Sequence, residues 1–237
     1  MKKIFFMIPL SFLCLYASAQ NKVWKDSAEL SYVKTSGNSK TETISAKNTF
    51  NYEWQKAILD LSAGGLGTKN DKDVTAEQFY ASKKVSLKLF GKNYAFEKVS
   101  WDKNRFSGIK DRWDFSLGLG RNIVDKEKDK LSLEAGGGYI FEDRVYPEEN
   151  KSFGTYRGYL KYWRKLSETA SFGQDFEYLG NLKDSSGYRM NAETSLITSI
   201  NSHFSLKASY VWKYLNSPVS GFKKTDTLTG ISLIVNY

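Results

Sequence analysis

The residues with chemistry to offer in this chain are charged, and they fall on one parity of an alternating pattern. The basic set is Lys25, Lys47, Lys56, Lys84, Lys88, Arg112, Arg144, Arg157, Lys161, Arg189, Lys207 and Lys213. The acidic set is Glu29, Glu53, Asp60, Asp102, Asp114, Glu134, Glu142, Asp175, Glu177, Glu193 and Asp226. The apolar residues of the same stretches occupy the other parity. In an extended chain successive side chains point to opposite faces, so these charges share one face. Twelve bases against eleven acids is a near balance. A lumen built for polyanions would be lopsidedly basic. This set reads instead as self-paired, because a charge taken out of water is costly unless an opposite charge meets it. A weakly selective pore is the alternative.

Catalytic chemistry finds little material. The single histidine, His203, sits in a predicted periplasmic turn, so none is available near the outer face for a serine nucleophile with a histidine base. Glu142 and Asp143 could form an acid–base pair, but adjacent carboxylates at a rim are usually solvated. Glu142, Asp143, Glu148 and Glu149 lack the spacing of an EF-hand loop. Cys14 is the only cysteine, so a Cys/His metal centre has no ligands. Gly118-Leu119-Gly120 and Gly136-Gly137-Gly138 are not phosphate loops, since no helix follows either. Glycines in strands instead make room for large neighbours. The expectation is no catalytic residue, no metal and no cofactor.

The elements that position these charges are strands. The chain closes on Ile231-Ser232-Leu233-Ile234-Val235-Asn236-Tyr237, with Ile231, Leu233, Val235 and Tyr237 on one parity. A terminal aromatic on an alternating strand is the pattern of a barrel's closing strand and of an assembly signal. At the other end, Lys2 and Lys3 precede the apolar run from Ile4 to Tyr16, and Ala17-Ser18-Ala19 follows. That is a cleavable export signal over residues 1–19, too short for a spanning helix. The remaining domain is 20–237, with no repeat and no second domain.

Period-2 alternation predicts twelve strands in that domain, forming an all-β, transmembrane, antiparallel up-and-down barrel. Predicted lipid-facing residues include Ala28, Leu30 and Tyr32 at the start, Phe79 and Leu87 in the fourth strand, and Phe204, Leu206 and Tyr210 in the eleventh. Short turns at Gln55, Phe90–Asn93, Asp125–Lys130, Ser167-Glu168 and Asn201-Ser202 alternate with longer loops. The predicted outer loops are Gly67–Gln78, Lys103–Lys110, Val145–Lys151, Asn181–Gly187 and Asn216–Lys223. In the fifth strand Tyr94 and Phe96 are placed outward, followed by Val99 and Trp101. That change of parity predicts a bulge near residue 97. Lys83, Asn48 and Gln174 fall on the lipid face and strain the register.

The net charge is +9, or +7 once Lys2 and Lys3 leave with the signal. An exported protein does not meet nucleic acid, so anionic lipid and lipopolysaccharide are the expected neighbours, with the barrel-assembly machinery as a transient partner. A monomer in the cell outer membrane is expected. Mean hydropathy is −0.49, which a barrel tolerates because only alternate residues touch lipid. Aromatics make up 15%, enough for two interfacial girdles.

Several segments together resemble the salt-induced outer-membrane proteins, the YdiY-type domain of unknown function. They are Ala28-Glu29-Leu30-Ser31, Thr35-Ser36-Gly37-Asn38-Ser39, Asn104-Arg105-Phe106-Ser107-Gly108-Ile109, Gly118-Leu119-Gly120 and Leu133-Glu134-Ala135-Gly136-Gly137. Glu142-Asp143, Leu166-Ser167-Glu168, Tyr188-Arg189, Glu193-Thr194-Ser195-Leu196 and Lys224-Thr225-Asp226-Thr227 complete the set. Asp102-Lys103-Asn104 departs from the paired acids often seen there. The resemblance implies an outer-membrane barrel of unassigned activity and carries over no catalytic or binding residue. Three readings follow: a structural or envelope-stress barrel that is not an enzyme, a small-solute channel, or a soluble periplasmic barrel that binds an apolar ligand.

Overall fold

The computed structural model describes residues 23–34, 41–70, 73–104, 107–145 and 149–236. The export signal, Cys14, the segment Thr35-Ser36-Gly37-Asn38-Ser39, Arg105, Phe106, Glu148 and Tyr237 lie outside the described residues. Twelve strands run in chain order. They are β1 (Val23–Lys34), β2 (Thr41–Glu53), β3 (Ala57–Asn70), β4 (Asp73–Lys88), β5 (Asn93–Asn104) and β6 (Ile109–Asp125). β7 (Asp129–Arg144), β8 (Lys151–Lys165), β9 (Ala170–Asn181), β10 (Arg189–Ser199), β11 (Phe204–Leu215) and β12 (Thr225–Asn236) follow. Each pairs antiparallel with its sequence neighbours, and β1 meets β12 to close the barrel. Closure is what the chemistry of lipid demands, since an open sheet edge would leave backbone groups without partners.

The alternation predicts the two faces correctly along most strands. Leu30, Ile44, Leu117, Leu119, Leu206 and Ile231 are among the exposed apolar residues of the outer wall. Their cross-strand register keeps them on one face. Aromatic rings gather at both ends of that wall. Trp24, Phe50, Tyr52 and Trp54 follow one another at the end bearing the short turns. Tyr156, Tyr178, Tyr188, Tyr214 and Trp212 form a continuous row at the end bearing the longer loops. Two such girdles suit rings that keep one side in hydrocarbon and one in water.

Two register expectations fail. First, β5 carries no bulge near residue 97, and its pairing with β4 is unbroken from Lys88↔Tyr94 to Gln78↔Asn104. Tyr94 and Phe96 therefore point inward, and Glu97 points out. The reason lies on the next strand. Tyr94 is paired with Gly120 and Phe96 with Gly118. A Cβ on Gly120 would strike the Tyr94 ring, and one on Gly118 would stand 2.7 Å from the tip of Phe96. The two glycines make room for rings inside the barrel. Second, Gly67–Gln78 is not an open loop. β3 and β4 extend to Asn70↔Asp73, with a slip at Thr68/Lys69, so only two residues connect them.

The polar residues on the lipid face are real, and each has a partner. Asn48 donates to Asp26 at 2.9 Å, Thr194 Oγ1 bonds Gln174 at 2.6 Å, and Lys83 lies 3.7 Å from Glu97. A satisfied polar group costs far less in an apolar setting than an orphan.

At the loop end the mouth is roofed. Val219, from the β11–β12 connection, is 3% exposed and packs against Gly108 in the β5–β6 connection. Gly108 has φ +78, and a Cβ there would stand 2.6 Å from Val219. Only glycine gives both the backbone angle and the close approach.

Candidate functional site: the charged lumen

Three clusters organise the inward face. Nearest the loops, Glu142 on β7 accepts Arg112 from β6 at 2.7 and 2.8 Å, and Arg144 at 2.6 Å. Arg112 also lies 3.7 Å from Asp102 on β5. Alternation on β7 puts Glu142 and Arg144 on the same face, and the β6 register sets Arg112 directly beside Glu142.

The second cluster spans the barrel. Glu134, with its side chain 1% exposed, is held by Lys84 of β4, by Arg157 of β8 at 2.8 Å and by the Tyr94 hydroxyl at 2.9 Å. Arg157 turns its Nε to Glu177 on β9 at 2.7 Å, and Lys98 of β5 reaches the same carboxylate at 3.1 Å. The Arg157 guanidinium lies 4.8 Å over the Tyr159 ring and 5.4 Å over Phe96. Those rings screen it from water and add cation–π attraction. Asp114 on β6 accepts Arg189 of β10 at 2.6 Å and Ser116 at 2.9 Å.

On the opposite wall Lys207 of β11 joins Glu29 at 3.0 Å to Glu193 at 2.6 Å, and Lys47 stands 3.9 Å from Glu29. Lys161 and Asp175 are direct cross-strand partners. Lys213 of β11 reaches Gln78 of β4 at 2.9 Å. Asp226 is the direct cross-strand partner of Lys213 and accepts the Ser107 hydroxyl at 3.0 Å near the mouth.

Several of these contacts cross the lumen. In the barrel order, β5 and β9 are four strands apart, and so are β6 and β10. Four strand spacings are about 19 Å of wall. Lys98–Glu177 and Asp114–Arg189 therefore join parts of the wall that are not neighbours. Paired charges of this kind hold shape: each stays buried only because its partner is in place.

Of the charges expected in the lumen, Arg112, Asp114, Glu134, Glu142 and Arg157 are buried, and Arg144, Glu177, Arg189 and Glu193 form ion pairs with them or with Lys207. Sequence reasoning missed Lys98, Tyr94 and Phe96, all on β5. The signal was present: counting back from Asp102 in unbroken steps of two gives 100, 98, 96 and 94. Trusting the aromatic character of Tyr94 and Phe96 hid it.

Under the loops lies a cavity of about 40 Å³ lined by Arg112, Glu142, Arg144, Lys151, Asp184 and Arg189. Arg189 Nε is buried there without a hydrogen-bond partner. The Asp184 carboxyl is held below the usual carboxylate range by the Ser186 hydroxyl and amide, at 2.7 and 2.9 Å. His203 is placed as predicted, in the β10–β11 turn beside Ser202 at 2.9 Å.

A closed antiparallel barrel of twelve strands, with an apolar outer wall, two aromatic girdles and a charged interior, defines the outer-membrane type of β-barrel. The solved structures it resembles are of that class. The outer membrane channel COG4313 from Pseudomonas putida F1 matches with a TM-score of 0.55 at 8% identity, over 94% of this chain and 98% of that one. The NanC porin matches at 0.53 and 9% identity, over 90% and 97%. The translocator domain of the autotransporter NalP from Neisseria meningitidis matches at 0.50 and 13% identity, over 94% and 90%. These likenesses are of fold alone.

The chain belongs to the family described as "Protein of unknown function, DUF481", whose model matches residues 28–237. A curated relative is the uncharacterized protein YdiY of Escherichia coli (strain K12). It is 26% identical over 221 residues, covering 92% of this chain and 84% of the relative.

Proposed function

We propose that this protein is exported by a cleaved signal at residues 1–19 and assembles as a monomer in the cell outer membrane. There it serves as a structural or envelope-stress barrel, not an enzyme, with a lumen barred by its own ion pairs. The fold's likeness to outer-membrane barrels supports the location. The observation that carries the barred lumen is the pair of cross-lumen contacts, Lys98–Glu177 and Arg189–Asp114, beneath a mouth roofed by Val219. Ions entering such a lumen must displace partners that already neutralise one another. The test is planar-bilayer conductance of the refolded protein. Little steady conductance is expected from the native chain, and a clear rise from the Arg189→Ala/Asp114→Ala double variant. A large, strongly anion-selective native conductance would overturn this.

A second reading is a small-solute channel whose open state differs from this one. It is favoured by the cavity under the loops, where Arg189 Nε has no partner beside Arg112, Arg144 and Lys151. Those cations would select anions.

A further inference from the structure

The seam that closes the barrel is short. β1 forms twelve rungs with β2, and β12 forms eleven with β11. β1 and β12 share four among the described residues, from Ser27↔Asn236 to Leu30↔Leu233. The same register would set Ser31 opposite Ser232, Tyr32 opposite Ile231, Val33 opposite Gly230 and Lys34 opposite Thr229. All eight residues belong to strands, yet no rung joins them.

The split lies at membrane depth. On β12, Thr225 and Thr227 sit beside Tyr214 and Trp212 of the loop-end girdle, whereas Ile231 pairs with Ala208 well below it. Backbone groups facing hydrocarbon must find partners, and irregular backbone at this depth persists only where it is buried in protein or lines a watered cavity. The unpaired stretch of the seam, a slot between β1 and β12, must therefore be reached by water or covered by neighbouring protein.

Its lining is graded. The outer lips are apolar and open to lipid: Tyr32 is 58% exposed, Leu30 56% and Ile231 62%. On the inner side Gly230 pairs with Ser209, and Ser232 with Lys207. Ser31 Oγ lies 3.9 Å from where a Cβ on Gly230 would stand, so the two strands are within van der Waals reach at the base of the slot, with only a serine hydroxyl and a glycine there. Below it sits Lys207, bound to Glu29 and Glu193.

We propose that this seam is a lateral passage for a single-chain amphiphile. Its polar head enters the lumen between β1 and β12, and its acyl chain stays in the lipid. Apolar lips suit the chain. Small hydroxyl-bearing residues behind them suit the head. The four-rung seam can part further at low cost to the rest of the wall. This route does not need the lumen to conduct along its axis, so it stands apart from the barred-lumen reading.

The test uses the refolded full barrel in phospholipid vesicles containing a lysophospholipid with a photoreactive group on its head. Ser31→Cys/Ser232→Cys places two thiols opposite each other across the slot, in a mature chain with no other cysteine. The reduced form and the native chain should label at lumen-facing Ser209 and Leu228. Oxidation should cut that labelling several-fold, while labelling of the loops persists. A Gly230→Phe variant, blocking the slot by bulk alone, should do the same. Heat-modifiable gel migration reports that each variant is folded. No labelling of Ser209 or Leu228 in the native chain would overturn the proposal, as would labelling unchanged by both the disulfide and Gly230→Phe.

Discussion

Glu134→Ala is the perturbation that most directly tests the ion-pair network. Its carboxylate accepts from Lys84, from Arg157 and from Tyr94, and its side chain is 1% exposed. Removal leaves Lys84 with only its cross-strand partner Asp60, with which it forms no close ion pair, and next to a like-charged Arg157. Arg157 keeps Glu177 at 2.7 Å. Breaking a buried pair by deleting one member costs about 3–5 kcal/mol. The solvated pair Lys165–Glu168, with Glu168 91% exposed, is the control, and Glu168→Ala should cost under about 1 kcal/mol. The assay is denaturant unfolding of the refolded barrel in lipid vesicles, read by tryptophan fluorescence and gel migration. A double-mutant cycle adds Lys84→Met. Removing the stranded cation should recover part of the loss, with a coupling of roughly 1–3 kcal/mol. If Glu134→Ala costs no more than Glu168→Ala, or the cycle shows no coupling, the network does not hold the barrel's shape.

Gly120→Val should destabilise by about 1–3 kcal/mol through collision with the Tyr94 ring, and Tyr94→Ala should relieve part of that in the double variant. A cysteine at Ser185, in the β9–β10 loop, should react with an impermeant thiol reagent on intact cells, whereas one at Asn201 should not; the reverse pattern would invert the proposed topology. Deleting Tyr237 should lower the amount of protein in the outer membrane and raise periplasmic degradation, as fractionation would show; unchanged insertion would remove Tyr237 from the assembly signal.

The sequence by itself determined the strand count, the positions of the short turns and the facing of most side chains. These are local properties. Alternation with a period of two needs only the neighbouring residues, so Leu30, Glu134 and Ile231 could each be assigned a face from their own strands. The two failures share one cause. Tyr94 and Phe96 are aromatic and read as lipid-facing, but Gly118 and Gly120 on the partner strand leave space for them inside. Which strand lies opposite, and with what side chain, is not a local property. β3 and β4 likewise zip to Asn70↔Asp73 because each supplies the other's hydrogen bonds, despite glycines and charges that read as loop. The balance of lumen charges was legible as a count, but their partners were not. Lys98 finds Glu177 and Asp114 finds Arg189 across residues far apart in the chain. Only closure of the barrel brings those strands face to face. The short β1–β12 seam is tertiary for the same reason: each strand reads as ordinary, and the missing rungs exist only where the two ends of the sheet meet.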